Sequence, residues 1–216
     1  MAVLLEQASH TPTSYSCYYT DPYDGAAGPG YDRGVSWAQT FTIPSGVTWT
    51  ISSVGMWLTE TLTGAYTYTM QLLGTVGGVP DPTNVIATVG FSSAGITGSD
   101  YFKLAVPYGD FTAGTYALVL LYPVALMPGT EGVVNWGAST ADEYAGGSTY
   151  GYFHGDFFAP APSAFDEWVE YPSATGDMSF IIEGTATAAP FTPPVGGPTK
   201  RRLVACADNK LWYEDV

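Results

Sequence analysis

The chain has 216 residues, which is enough for one β domain with extensions or for two small domains. Charged residues make up 12% of it and the formal net charge is −14, which argues against binding to nucleic-acid phosphates or anionic membranes, because both need lysine and arginine. Glycine, proline and tyrosine are abundant, at 26, 16 and 16 residues. Glycine and proline break helices whereas threonine and aromatic residues suit half-buried strands, so the composition predicts an all-β protein.

The first residues form a short apolar run that differs from a secretory signal. Residues 2–5 are apolar, but Glu6 interrupts them and no lysine or arginine precedes them. A secretory signal has a basic start and roughly 7–15 apolar residues, and no later run reaches the roughly 20 that span a bilayer. We therefore expect a protein that is made in the cytoplasm yet has the composition of an extracellular one; a fragment of a secreted protein is the alternative.

Residues 1–34 are predicted to be an irregular lead-in rich in tyrosine and glycine. Its turn signals are Asp21-Pro22, Asp24-Gly25 and Gly28-Pro29-Gly30. Asp21, Asp24 and Asp32 could offer oxygen ligands to calcium, but their spacing differs from that of an EF-hand loop. We predict no metal site in this segment.

Residues 35–184 are predicted to form one antiparallel β-sandwich domain that ends at Gly184. Large apolar side chains recur at every second position, as at Trp37, Phe41 and Ile43, which is the pattern of a strand with one buried face. The predicted strands are residues 36–43, 47–58, 66–73, 85–91, 101–106, 115–122, 133–137 and 179–184. Short strands separated by frequent turns indicate a β-sandwich or barrel.

Three details of this pattern make finer predictions. An irregularity is expected at Ser52-Ser53, where the alternation changes phase. Residues 77–82, which are rich in glycine and proline, predict a long exposed turn. Residues 115–122 are continuously apolar or aromatic after Thr115, which predicts a central strand that is covered on both faces.

The chain after this domain divides into a linker and a hairpin. Residues 185–199 are rich in proline and predict an extended, semi-rigid linker. Residues 200–216 hold four of the six basic residues and predict a β-hairpin, with strands at 202–207 and 210–214. A lone hairpin is marginal in water, so we expect it to dock on its own sandwich or on a neighbouring subunit. The candidate docking residues are Arg201, Arg202, Leu203, Leu211, Trp212 and Tyr213.

The two cysteines, Cys17 and Cys206, lie near opposite ends of the chain. Disulfides are rare in reducing compartments, so for a protein made in the cytoplasm we expect two independent thiols; a disulfide that joins the two ends is the alternative. Their spacing resembles no metal site, because there is no CxxC and both His10 and His154 are distant in sequence from the cysteines. No metal or other cofactor is predicted.

Several segments occur in an order that is similar to a known family. They are Gln39-Thr40-Phe41, then residues 51–58 and 68–72, then Gly78-Val79-Pro80 and residues 111–120. This order resembles the choice-of-anchor jelly-roll domains of bacterial surface proteins and phage structural proteins. The resemblance covers about residues 37–184 and implies a jelly-roll-like, non-catalytic sandwich, akin in many members to carbohydrate-binding modules. Residues 201–215 resemble a segment of phage virion proteins that often opens a longer β-rich region.

Candidate catalytic residues are sparse. His154 and Asp156 are close in sequence, but a serine hydrolase needs a full supporting arrangement around such a pair. Neighbouring carboxylates occur at positions 142–143 and 166–167. Glycosidases use two carboxylates about 5–10 Å apart, whereas adjacent residues on strands or loops usually point in different directions. We predict that the protein is not an enzyme.

Residues 136–171 combine many aromatic side chains with glycine and acidic residues. Sugars bind by laying their C–H faces on aromatic rings while carboxylates accept hydrogen bonds from hydroxyls. The candidate carbohydrate-binding residues are Trp136, Tyr144, Tyr150, Tyr152 and Trp168. The alternative is that these rings close one end of the sandwich or pack against a neighbouring subunit, because large aromatics carry much of core and interface burial.

These observations lead to two hypotheses of function. The first is a non-enzymatic structural protein of a tailed-phage virion, as a capsid decoration, tail or fibre component that assembles in the host cytoplasm. Its partners would be other virion proteins and further copies of itself, with a host surface glycan as an additional ligand and no insertion into a membrane. The alternative is a carbohydrate-binding module of a surface or secreted protein.

Overall fold

The computed structural model describes residues 2–7, 13–16, 18–20, 32–60, 66–96, 101–106, 109–121, 134–139, 144–153, 168–170, 176–188, 201–207 and 210–215. The strands of the first half are β1 (Ala2–Gln7), β2 (Thr13–Ser16), β3 (Tyr18–Thr20), β4 (Asp32–Ile43), β5 (Val47–Glu60), β6 (Thr67–Val76), β7 (Val79–Ser92) and β8 (Tyr101–Ala105). Those of the second half are β9 (Asp110–Phe111), β10 (Gly114–Leu121), β11 (Val134–Ala138), β12 (Thr149–Phe153), β13 (Trp168–Glu170), β14 (Phe180–Ala188), β15 (Arg201–Ala207) and β16 (Lys210–Asp215). One short 3-10 turn, Ser93–Gly95, is the helical element among these residues.

Two antiparallel sheets pack against each other, which confirms the predicted all-β sandwich. The first sheet has the order β1-β14-β5-β11-β2. β8 and β9 also belong to it and pair with β5 along the edge that faces away from β14. The second sheet has the order β13-β12-β4-β10-β6-β7, and β3 pairs with the start of β4. β15 and β16 form a separate two-stranded sheet.

The irregularity predicted in the second long strand is a β-bulge. Ser53 of β5 pairs with Glu183 of β14, but the next pair joins Ile51 to Gly184, so Ser52 is an extra residue on β5. The Ser52 hydroxyl donates to the Glu183 carbonyl oxygen at 3.0 Å. The bulge explains why the buried positions of β5 change phase between Ile51 and Val54.

The core lies between the inward faces of the two sheets. Phe41 of β4 stacks on Trp49 of β5, with ring centroids 6.5 Å apart, and its centroid lies 6.3 Å from that of Phe180 of β14. Tyr116 of β10 stacks on Phe41 from the same sheet at 5.9 Å. Such ring pairs add about 0.5–1.5 kcal/mol each beyond the apolar area that they bury. Other large, fully buried core side chains are Tyr68, Trp136, Ile43, Ile51, Met56, Leu58, Met70, Leu72 and Leu118.

Three strands fall within the lead-in that the sequence predicted to be irregular. β1 pairs along β14, with Leu5 opposite Ile182, and Leu4 and Leu5 pack on the core. β2 and β3 pair with β11 and β4. The sequence analysis missed these strands because each has six residues or fewer, which is too short for a clear alternation of apolar and polar residues. In β1, the longest of them, Glu6 also interrupts the apolar run.

The connection between β6 and β7 is shorter than predicted. The turn consists of Gly77 and Gly78, whose φ angles are 62° and 89°, and β7 begins at Val79. A two-residue type I′ turn needs positive φ at both positions, which glycine adopts without strain. Pro80 is part of this ladder and pairs with Thr75. The register then shifts, so that residues 81–84 are extra on β7 before Val85 pairs with Leu73.

The last strand of the sandwich is longer than predicted. β14 continues past Gly184 to Ala188, because residues 185–188 pair with residues 47–50 of β5. The side chains of residues 185–188 are all exposed. The sequence there therefore lacks the alternation of large apolar and polar residues that predicts a strand. Residues 189–199, the rest of the predicted linker, lie outside the described residues.

Replacing Phe41 with alanine should lower the free energy of unfolding by about 3–5 kcal/mol, because the change removes a ring that contacts both sheets and leaves a cavity. Chemical denaturation followed by tryptophan fluorescence measures this loss. Thr187→Ala, at an exposed position of β14, is the matched control and should change the same quantity by less than about 0.5 kcal/mol. A loss of less than about 1 kcal/mol for Phe41→Ala would contradict its central place in the core.

Candidate functional site

Trp136, one of the predicted carbohydrate-binding residues, lies inside the core. It stands on β11, is 0% exposed, and donates from Nε1 to the backbone oxygen of Ser179 at 2.8 Å. Its indole therefore has a satisfied hydrogen bond and no free ring face for a ligand. Trp136 is a core residue rather than a ligand platform.

Tyr144 lies at one end of the sandwich, apart from the other candidates. Its ring meets Phe180 edge-on at 5.7 Å, and its hydroxyl accepts a hydrogen bond from the backbone N–H of Thr42 at 3.1 Å. Burial raises the pKa of Tyr144, and this hydrogen bond offsets only part of the rise. Tyr144 thus fits the alternative interpretation, in which an aromatic ring closes an end of the sandwich.

Tyr150, Tyr152 and Trp168 come together on the outer face of the second sheet, and we call them the outer-face trio. Tyr150 and Tyr152 of β12 pair with residues 38 and 36 of β4, and Tyr152 pairs with Trp168 of β13. Directly paired residues project from the same face of a sheet. Trp37 between those two β4 positions is a core residue, so the trio faces away from the core. The rings of Tyr152 and Trp168 meet edge-on at 5.4 Å.

The outer-face trio borders a second apolar cluster. Its buried members are Ala38, Leu73, Ala117, Val119 and Tyr150, and Leu121 and Trp168 pack against them. Residues 117–120 of β10 are all fully buried, which confirms the prediction of a central strand that is covered on both faces.

The second sheet curves around this cluster. β13 and β7 stand at opposite ends of the strand order, yet they come into contact. Neighbouring strands are about 4.8 Å apart, so a flat sheet would hold these two strands about 24 Å apart. Because Trp168 of β13 and Leu73 of β6 share one cluster on the outer face, that face is the concave one.

The polar groups at the outer-face trio differ in how far they are accessible. Burial, and after it the carboxylate of Glu170, raises the pKa of Tyr150 above its ordinary value. Trp168 Nε1 is buried and has no hydrogen-bond partner among the described residues, whereas most buried N–H groups are paired. Glu170 is exposed beside them. Trp168 Nε1 and the Tyr150 ring are themselves buried, so the accessible part of the site consists of the half-buried rings of Tyr152 and Trp168 and the carboxylate of Glu170.

A network of buried polar groups joins the two sheets near Tyr144. Gln39 of β4 donates from Nε2 to Asp177 Oδ1 at 3.2 Å, and its Oε1 accepts from Thr149 Oγ1 and from the backbone N–H of Met178, both at 2.8 Å. Asp177 Oδ2 accepts from the backbone N–H of Tyr144 at 2.7 Å. Gln39, Thr149 and Asp177 are all buried. Hydrogen bonds to a charged acceptor are worth about 1.5–3 kcal/mol each.

This polar network stabilises the fold, because its groups form hydrogen bonds to one another. Ser139 strengthens it: the Asp177 N–H donates to Ser139 Oγ at 3.1 Å, and the Ser139 N–H donates to the Asp177 carbonyl oxygen at 2.9 Å. The sequence analysis missed these residues. The available signal was Gln39 itself, a polar residue at an inward position between Trp37 and Phe41.

The C-terminal strands confirm the predicted hairpin. β15 and β16 pair antiparallel, from Ala207 with Lys210 to Arg201 with Asp215, with a register shift between Leu203 and Ala205. The six candidate docking residues all stand on these two strands. Arg202 pairs with Glu214 and Leu203 with Tyr213, while Trp212 and Leu211 pair with Ala205 and Cys206.

Several other sequence candidates fall outside the described residues. They are Asp21, Asp24, Cys17, His10, His154, Asp156 and the carboxylate pairs at 142–143 and 166–167. The predictions about calcium, the thiols and the carboxylate pairs therefore stay predictions.

Comparison with family models, curated proteins and solved structures gives no match to this chain. In the part of the chain that the structure describes, no helix is long and apolar enough to cross a membrane. The same residues contain no group of three or more His, Cys, Asp or Glu side chains placed to hold a metal ion.

Replacing Asp177 with alanine should destabilise the fold by about 3 kcal/mol, because it removes the carboxylate that accepts from Gln39 Nε2 and from the backbone N–H of Tyr144. Asp177→Asn, which keeps one acceptor oxygen, should cost less. Glu183→Gln is the matched control, since that carboxylate lies on the outer face of the first sheet, and its effect should stay below about 1 kcal/mol. Equal unfolding midpoints for Asp177→Ala and Glu183→Gln in urea would refute the role of the network.

Proposed function

We propose that this chain is a non-enzymatic structural protein of a tailed-phage virion, with the sandwich displayed on the particle and the C-terminal hairpin as its attachment. The observation that supports this most is the two-stranded sheet of β15 and β16, which shares no ladder with either sheet of the sandwich among the described residues. The resemblances of residues 37–184 and 201–215 to phage structural proteins point the same way. Capsid decoration, tail and fibre are all compatible positions.

The energetics of the hairpin favour a docked state. A two-stranded hairpin is marginally stable at best in water and becomes stable when it packs on another element. Four of the six basic residues lie after residue 199, while most of the acidic residues lie before it. The same segment also holds Asp208, Glu214 and Asp215, so it is close to neutral and charge gives it only weak attraction to the acidic sandwich. Other virion proteins and further copies of the chain are the proposed partners.

Deleting residues 200–216 should abolish incorporation into particles and leave the sandwich folded, because none of β1 to β14 pairs with β15 or β16. Incorporation is measured by complementation and by cryo-electron microscopy of particles from the source. The thermal unfolding midpoint of the truncated chain serves as the control for folding. Truncated chains that enter particles at the level of the full chain would disprove the attachment role.

A carbohydrate-binding module is the second candidate function, and the outer-face trio is the observation that favours it. Tyr150, Tyr152 and Trp168 share one concave face with the exposed carboxylate of Glu170. Ring faces with adjacent polar groups are the usual means of orienting a small ligand in a concave site. Host surface polysaccharide is the proposed ligand class.

Trp168→Ala should weaken binding to such a polysaccharide by about two- to tenfold, since a lost ring contact is worth about 0.5–1.5 kcal/mol. Glycan arrays identify the ligand and calorimetry measures its affinity. Trp57→Ala is the matched control, because Trp57 is a partly exposed tryptophan on β5 of the other sheet. A folded wild-type chain that binds no host polysaccharide would eliminate this candidate.

A further inference from the structure

β12 and β13 place a carboxylate beside two accessible aromatic rings. Glu170 pairs with Tyr150, and Trp168, two residues earlier on β13, pairs with Tyr152. Directly paired residues project from one face of a sheet and diagonal neighbours lie about 7–8 Å apart, so Glu170 stands within side-chain reach of the Tyr152 ring. The ring centroids of Tyr152 and Trp168 are 5.4 Å apart. Glu170 is exposed and both rings are half-buried.

The chain around Glu170 is acidic. Residues 104–199, which include β12 and β13, hold ten acidic residues and no lysine or arginine. On the described strands of the second sheet the one basic residue is Arg33, which stands three positions along β4 from the residue that pairs with Tyr152, or about 10 Å. Lys103 stands on β8 of the other sheet and is engaged in an ion pair. A carboxylate in such surroundings attracts cations.

The two aromatic rings attract the same kind of group. A cation within about 6 Å of a ring centroid is held by the negative face of the ring, and tryptophan is the strongest partner. Because the centroids of Tyr152 and Trp168 are 5.4 Å apart, one cation can lie within that distance of both. Burial, and after it the Glu170 carboxylate, raises the pKa of Tyr150, so this phenol is neutral at neutral pH. The negative charge among these four side chains therefore belongs to Glu170.

We propose that Tyr152, Trp168 and Glu170 bind an ammonium group, and that the ligand is a polysaccharide with free amino groups, such as one built of glucosamine. This inference rests on the second candidate function, a carbohydrate-binding module, and names its substrate class. The ammonium group donates to the Glu170 carboxylate and lies against the two rings. Hydrogen bonds between charged groups are roughly twice as strong as those between neutral groups.

Neutral and anionic sugars fit these groups less well. A sugar hydroxyl can donate to Glu170, but it carries no charge for the ring faces to attract. The carboxylate or phosphate of an acidic polysaccharide would meet the Glu170 carboxylate, and like charges repel. Two half-buried rings beside one exposed carboxylate therefore select a cationic ligand.

Calorimetry of the full-length chain with three oligosaccharides of equal length tests this proposal. They are a glucosamine oligosaccharide, the same oligosaccharide with every amine acetylated, and a galacturonic acid oligosaccharide. The buffer is mildly acidic to keep the amines protonated, and it contains about 0.15 M salt, which screens charges more than about 8 Å apart. The wild type should bind the glucosamine oligosaccharide at least about tenfold more tightly than the acetylated one, and should not bind the galacturonic acid oligosaccharide.

Glu170→Gln removes the charge of the side chain and keeps its shape. It should weaken binding of the glucosamine oligosaccharide at least about tenfold and change the affinity for the acetylated one by less than about twofold. Glu6→Gln, at an exposed position of β1 in the first sheet, is the matched control because it removes the same charge. Its affinities should equal those of the wild type. Thermal unfolding midpoints establish that both variants are folded.

Two results would overturn the proposal. The first is a wild type that binds the acetylated oligosaccharide as tightly as the one with free amines. The second is an equal loss of affinity in Glu170→Gln and Glu6→Gln, because the ligand would then respond only to the overall charge of the protein. Raising the pH until the sugar amines are neutral should abolish the preference for the glucosamine oligosaccharide, and an unchanged preference would also contradict the proposal.

The inference and the carbohydrate-binding function fail in different ways. If neutral oligosaccharides bind and Trp168→Ala weakens them while Glu170→Gln does not, the carbohydrate-binding function stands and the ammonium inference fails. If choline, a quaternary ammonium compound without a sugar, binds as tightly as the glucosamine oligosaccharide, the sugar adds nothing and the carbohydrate-binding function fails. A wild type that binds neither choline nor any glycan would refute both.

Discussion

The contact of Phe41 with Trp49 and Phe180 fixes how the two sheets meet, and the rest of the molecule is arranged around it. Phe41 stands on β4, whose inward face also carries Gln39 of the buried polar network and whose outward face carries Ala38 of the second cluster. One strand therefore anchors the core, the polar link and the base of the outer-face trio. Any displacement of β4 would move all three, because packed interiors transmit strain rather than absorb it.

The outer faces of the two sheets differ in polarity and in burial. On the first sheet Lys103 donates to Glu183 at 2.8 Å, and Ser53 donates to the same carboxylate at 2.6 Å. These bonds hold the pKa of Glu183 below its usual range, yet exposed pairs of this kind contribute at most about 1 kcal/mol. That face is an ordinary solvated surface. The second sheet buries apolar residues on both faces, in the core and in the second cluster.

The sequence predicted what depends on local periodicity. Apolar periodicity predicted the eight principal strands and the phase change at Ser52-Ser53, and a continuous apolar run predicted a strand covered on both faces, which residues 117–120 are. The sequence did not separate Trp136 and Tyr144 from Tyr150, Tyr152 and Trp168, because all five lie in one aromatic-rich stretch and only strand pairing sorts them onto different faces. Asp177 was missed for the same reason: its partner Gln39 is distant in sequence, and only the fold brings the two together.

The position of β14 has a consequence for how the sandwich is made. β14 stands between β1, formed by residues 2–7, and β5, so the first and last strands of the sandwich are direct neighbours. At about 5–20 residues per second of translation, β1 waits roughly 10–35 seconds for its partner. Until then β5 also lacks the neighbour along most of its length. The first sheet is therefore completed only once synthesis reaches residue 188, and this dependence on distant pairings makes folding slow compared with that of helical domains.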